Sequence, residues 1–198
     1  MRPTEILSSE HRVIEIVLNC LDRMVERAEK DGCLDRSAAE KAIDVIRNFA
    51  DRCHHGKEEN HLFATLVEKG LPRDGGPVGQ MLREHEMGRG FVAGMDENLA
   101  AASEGDKASL SRFSENARNY VGLLRNHIQK EDRVLFPVAD RMLDEQDQDR
   151  ILSEFGKVES EHMGEGTHDK YIKIVIELAR DFGVEHDNLN HASCHCSH

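Results

Sequence analysis

Two stretches of the sequence share residues that bind metals. HHGKEENHLF covers residues 54–63 and HIQKEDRVLF covers residues 127–136. Each stretch has a histidine followed four residues later by a glutamate, giving the pairs His54/Glu58 and His127/Glu131. On an α-helix, positions i and i+4 lie one turn apart on the same face, so an imidazole nitrogen and a carboxylate oxygen can hold one metal centre together. The repeat therefore predicts two contributions to a metal site.

Apolar rows place these side chains inside the fold. His127 and Glu131 follow Tyr120 and Leu124 at helical spacing, and two further histidines, His11 and His85, lie in apolar rows of their own. Buried carboxylates are costly unless they are paired or bound to metal, and two of them together favour a dinuclear cluster. Four imidazoles and two carboxylates form a nitrogen and oxygen ligand set. This set suits iron first, with manganese or zinc possible.

The same spacing selects between neighbouring residues in the first stretch. An α-helix advances about 100° per residue, so His55 and Glu59 would lie that far round the helix from His54 and Glu58. We therefore predict that His55 and Glu59 flank the site, and that His54→Ala loses metal whereas His55→Ala does not. A helix rotated by one residue would present His55 and Glu59 instead.

A rival metal pattern uses a shorter spacing. Glu58 and His61 form the Glu-x-x-His pair of ferritin-like di-iron sites, and the pairs Glu159/His162 and Glu165/His168 repeat it. A ferritin-like site also needs glutamates from two other helices. Because GEG at residues 164–166 interrupts the third pair, the sequence favours the His-x-x-x-Glu set.

Helical periodicity along nearly the whole chain predicts an all-α fold. Four long helices, at about residues 4–29, 37–70, 77–102 and 107–143, predict an up-down-up-down four-helix bundle over residues 1–146. The second helix is expected to begin with a capping box at Ser37 and Glu40. A helical extension over residues 147–185 should pack on the bundle. Residues 186–198 form a predicted flexible tail, in which Cys194 and Cys196 could bind zinc or copper.

Composition excludes several classes of partner. The chain has 38 acidic and 26 basic residues and a formal charge of −12, which argues against nucleic acid or an anionic membrane as a partner. No run approaches the roughly 20 apolar residues that a membrane span needs. The five cysteines are scattered and odd in number, so they are not a disulfide framework. We therefore expect a cytoplasmic protein.

The ordered motifs resemble one known family. His11, HHGKEENHLF, REHEMGR around His85 and HIQKEDRVLFP together resemble the hemerythrin-like (HHE cation-binding) domains, over about residues 4–143. The resemblance implies a four-helix bundle that holds two non-heme iron ions. The ligands that it implies are His11, His54, Glu58, His85, His127 and Glu131.

The chain departs from the oxygen-carrying members at one position. Those proteins have a second histidine one turn after the histidine that corresponds to His85, whereas this chain has Arg89. The departure argues against simple oxygen carriage and leaves an open position for a small molecule. We expect a di-iron protein that binds or senses dioxygen, nitric oxide or peroxide. The alternatives are an oxidoreductase that reduces peroxide or nitric oxide, and an iron storage or handling protein.

Overall fold

The computed structural model describes residues 1–158 and 167–186, and these residues form helices and connections without a strand. This confirms the all-α class. The helices are α1 (Pro3–Asp31), α2 (Arg36–Val45), π1 (Ile46–His55), π2 (Glu58–Leu62), α3 (Phe63–Glu68), α4 (Gly76–Ser103), α5 (Lys107–Lys130), π3 (Glu131–Leu135), α6 (Phe136–Met142), α7 (Glu145–Val158) and α8 (Thr167–Phe182).

Two helical runs join several of these segments. Residues 36–68 are helical from α2 to α3, and residues 107–142 are helical from α5 to α6. The predicted capping box at Ser37 was wrong. Asp35 caps α2 instead, because its extended backbone lets its side chain accept a hydrogen bond from the backbone nitrogen of Ala38 at 3.0 Å.

Three segments are π-helical. π2 begins at Glu58 and π3 begins at Glu131, and each is five residues long, whereas π1 extends over ten residues. π-helical turns close hydrogen bonds from i to i+5 and occur mostly as short bulges at functional sites. Their wider turns change which neighbouring side chains face the interior of the bundle.

The core consists of two clusters of buried apolar side chains. One cluster contains Ile14 and Val92, and the other contains Leu7 and Met81. Along α1, His11 therefore lies between residues of the two clusters, and His85 does so along α4. The metal-capable residues thus lie between two apolar regions, which exclude water from both sides.

The C-terminal helices share these clusters. Val175 and Leu178 of α8 belong to the first cluster, and Ile151 and Phe155 of α7 belong to the second. The divisions at residues 146 and 185 stay predictions. The tail cysteines and the Glu159/His162 and Glu165/His168 pairs lie outside the residues whose side chains are described. Within the described ranges, no helix is long and apolar enough to cross a membrane.

Candidate metal centre

The fold brings all six predicted ligands together in its interior. Each of these residues is at most 1% exposed. They come from six different segments and contribute to two groups, in each of which the ligand-capable atoms lie within 4.8 Å of one another. The residues are His11, His54, Glu58, His85, His127 and Glu131.

A seventh residue, His55, joins them. One group contains His55, Glu58, His85 and His127. His55 is 4% exposed, and its ring stacks on that of His85 with 3.8 Å between the ring centroids. The prediction that His55 flanks the site was therefore wrong. In π1 the turn is wider than in an α-helix, so two consecutive histidines both face inward.

The second group contains His11, His54, Glu58 and Glu131. Glu58 belongs to both groups: its two oxygens lie 3.5 Å from His54 Nε2 and 3.4 Å from His85 Nε2. Glu131 also lies between the groups, since its Oε2 is 3.3 Å from His11 Nε2 and 3.2 Å from His127 Nε2. If each group held one ion, both carboxylates would lie between the two ions.

Each of the five histidines has a carboxylate oxygen at its Nδ1 atom. This contact holds the ring in place and fixes Nδ1 as the protonated nitrogen, which leaves Nε2 free to bind metal. Sequence spacing alone does not identify these carboxylates. The pairs are His11–Asp132 at 2.8 Å, His54–Glu10 at 2.9 Å, His55–Asp51 at 3.3 Å, His85–Glu59 at 2.7 Å and His127–Glu84 at 2.9 Å.

Several atoms at the centre have no hydrogen-bond partner. Among the described residues, these buried atoms include both carboxylate oxygens of Glu58, both of Glu131, and the Nε2 atoms of His11 and His55. Buried polar atoms are nearly always hydrogen-bonded, and a bound ion is one explanation for exceptions. The residues at the centre therefore fit a pair of cations.

The electrostatics of the centre favour positive charge. Burial, together with the charge of Glu131, raises the pKa of Glu58 well above its usual value. Burial opposes protonation of His11 and His127, but hydrogen bonds and charge from nearby carboxylates outweigh it and raise the pKa of each to about 9. Without metal, the raised pKa values favour protons on His11, His127 and Glu58, whereas the pKa of Glu131 is lowered. Divalent cations would displace these protons on binding.

The repeat in the sequence extends to the groups around the ligands. Two lysines at matching positions each donate to a glutamate, and that glutamate contacts the histidine three residues before the lysine. The first lysine is fully buried and lies 2.6 Å from its glutamate. The two sets of contacts are Lys57–Glu10–His54 and Lys130–Glu84–His127.

The repeat fails at one ligand position. His55 of the first stretch corresponds to Ile128 of the second, so one group has three imidazoles and the other has two. Arg89 is in neither group; it contacts Asp51 at 2.9 Å and Glu59 at 2.7 Å, the carboxylates that hold His55 and His85. His55, in π1, is therefore a fifth candidate imidazole, on a different helix from Arg89. Glu59 also lies in neither group.

Comparisons with known proteins agree with this site. The family model described as the hemerythrin HHE cation binding domain matches residues 2–139, and the chain belongs to this family. An uncharacterized protein of Mycobacterium bovis and uncharacterized proteins of two Mycobacterium tuberculosis strains are each 22% identical over 181 residues, covering 91% of this chain and 70% of the relative. No solved structure gives a significant match.

The placement of His55 leads to a prediction that reverses the expectation from α-helical spacing. We expect His55→Ala to lower the iron content from about two ions per chain to about one, because His55 belongs to only one group. Elemental analysis of purified protein measures this. His61→Ala is the matched control, since His61 lies in neither group. Two ions retained in His55→Ala would show that His55 is not a ligand.

The carboxylate at Nδ1 of His11 leads to a second prediction, with a smaller expected effect on iron binding. We expect Asp132→Ala to keep two iron ions per chain but to weaken iron affinity about 10–100-fold, the usual cost of losing such a partner of a ligating histidine. Competition against a chelator of known affinity measures it. Asp149→Ala removes an exposed carboxylate of α7 and should leave affinity unchanged. Equal affinity in both variants would contradict the orienting role of Asp132.

Proposed function

We propose that this protein holds two non-heme iron ions and binds a small molecule such as dioxygen, nitric oxide or peroxide at them. The observation that supports this proposal is the convergence of Nε2 atoms and partnerless carboxylates in a dry interior. The residues that would hold the ions are His55, His85 and His127 on one side, His11 and His54 on the other, and Glu58 and Glu131 between them.

Iron is the metal that the donor set favours. Imidazole nitrogen and carboxylate oxygen suit iron, and also suit manganese and zinc, whereas soft metals prefer thiolates. Cys53 is buried next to His54 in the sequence but lies in neither group. The site is therefore a nitrogen and oxygen site, without sulfur among its candidate ligands in the described residues.

The donor count favours binding of an external ligand. Two six-coordinate ions would take more donors than five imidazole nitrogens and four carboxylate oxygens supply, which leaves room for solvent or a small molecule. When bound, iron supplies reversible ligand binding and electrons. The chain itself supplies fixed imidazoles and a buried site that admits only small molecules.

Elemental analysis with an optical spectrum tests this proposal. Protein from iron-supplied cells should contain about two irons per chain, and exposure of the reduced protein to dioxygen should produce an oxo-bridge charge-transfer band. One zinc per chain, or no metal, would contradict it. Catalytic consumption of peroxide or nitric oxide by the reduced protein would identify an enzyme rather than a binding protein.

We also propose a cytoplasmic location. Cys20 is a buried free thiol, and Cys33 is an exposed one. Free thiols of this kind fit a reducing compartment, where disulfides are rare.

A further inference from the structure

A cavity of about 110 Å³ adjoins one side of the metal centre. It is bordered by residues of π1, α4 and α5. Two of the candidate ligands, His55 and His85, form part of its wall, so a molecule in the cavity would lie next to the centre. Its wall also contains Asp51, Gly88, Arg89, Val92 and Tyr120.

Tyr120 gives this cavity a polar group. The residue borders the cavity and is only 2% exposed. Buried tyrosine hydroxyls usually find a hydrogen-bond partner. Burial, together with the charge of Asp51, raises the pKa of Tyr120, so its hydroxyl stays protonated and available as a donor.

The outer side of the cavity is formed by an ion-pair network. Arg89 is about one-third exposed and contacts Asp51, Glu59 and Glu86, the last at 2.5 Å. Three carboxylates around one guanidinium leave an excess of negative charge, which disfavours anions. Val92 and Gly88 add an apolar surface. The cavity thus suits a small uncharged molecule with one hydrogen-bond acceptor.

We propose that this cavity is the docking site from which a small neutral molecule reaches the metal centre, and that Tyr120 donates a hydrogen bond to it there. Arg89 closes the solvent side by holding Asp51 and Glu59. The inference rests on the proposed function, because it assumes a loaded centre.

Nitric oxide binding to the reduced, iron-loaded protein tests the hydrogen bond. We expect Tyr120→Phe to keep about two irons per chain and to release nitric oxide about three- to tenfold faster in stopped-flow measurements, as loss of one hydrogen bond implies. The chain has two tyrosines, so Tyr171→Phe is the matched control. Tyr171 lies in α8 and does not border the cavity, so loss of its hydroxyl should not change the release rate.

A second variant tests whether nitric oxide reaches the metal centre through this cavity. Val92→Phe fills part of the cavity and should slow nitric oxide association about tenfold or more, whereas Val134→Phe, at an exposed position, should not. If Val92→Phe fails to fold, Tyr120→Phe decides alone. If iron-loaded Tyr120→Phe releases nitric oxide at the wild-type rate, this inference is overturned and the proposed function still stands. If the wild-type protein is found to bind no metal, both this inference and the proposed function are overturned.

Discussion

Glu58→Gln is expected to reduce the iron content from about two ions per chain to fewer than one. Glu58 is the residue common to both groups, and its oxygens lie 3.5 Å from His54 Nε2 and 3.4 Å from His85 Nε2. Replacing one oxygen with an amide nitrogen removes a charged donor from both ions at once. Elemental analysis and the charge-transfer band measure the loss.

The neighbouring residue provides the control for this variant. Glu59→Gln makes the same chemical change one position along, but Glu59 contacts Nδ1 of His85 and lies in neither group. We expect it to keep two ions. The metal-free Glu58→Gln protein should fold normally, because the raised pKa of Glu58 favours an uncharged side chain there. Equal iron contents in the two variants would contradict a bridging role for Glu58.

Removal of the metal is expected to lower the melting temperature by about 8–16 °C. A ligand present at 1,000 times its dissociation constant stabilises the folded state by about 4.1 kcal/mol, and each kcal/mol shifts the melting temperature roughly 2–4 °C in a chain of this size. The physical reason is that Glu58 and Glu131 are fully buried together without hydrogen bonds to their oxygens. Thermal unfolding with and without a chelator measures the shift.

The Glu58→Gln variant again provides the comparison. Because it should bind little iron, a chelator should change its melting temperature by at most about 2 °C, a shift below 1 kcal/mol for a chain of this size. A wild-type protein with the same melting temperature before and after chelation would show that metal does not stabilise the fold.

Much of the fold and the centre could be predicted from the apolar rows. His11 and His85 were identified because each interrupts an apolar row, and both prove to be buried. The repeated His-x-x-x-Glu spacing identified the two shared carboxylates, because both lie on helices and both are fully buried. The up-down-up-down order of the long helices stays a prediction.

His55 could not be placed by the same reasoning. Sequence periodicity assumes 3.6 residues per turn, and this value does not hold in π1, where ten residues form the wider helix. The sequence did carry a signal, since two consecutive histidines precede Glu58. α-Helical spacing lets only one of His54 and His55 face the site. In the wider π-helical turn, both histidines face inward.

The carboxylates that orient the histidines could not be predicted from the sequence either. Asp132 contacts His11 from a position 121 residues away, and Glu84 contacts His127 from 43 residues away. In a chain with 38 acidic residues, spacing alone cannot select these from the solvated ones. They come within reach because the helical run from α5 to α6, which contains His127 and Asp132, packs against α1 and α4.

Anomalous diffraction at the iron edge tests the central claim most directly. Crystals of the iron-loaded protein should show two anomalous peaks roughly 3.5–4 Å apart, as is usual for two-metal sites. The peaks should lie between Glu58 and Glu131, with Nε2 of His55 directed at one and Nε2 of His11 at the other. A single peak, or peaks away from these side chains, would contradict the two-iron centre.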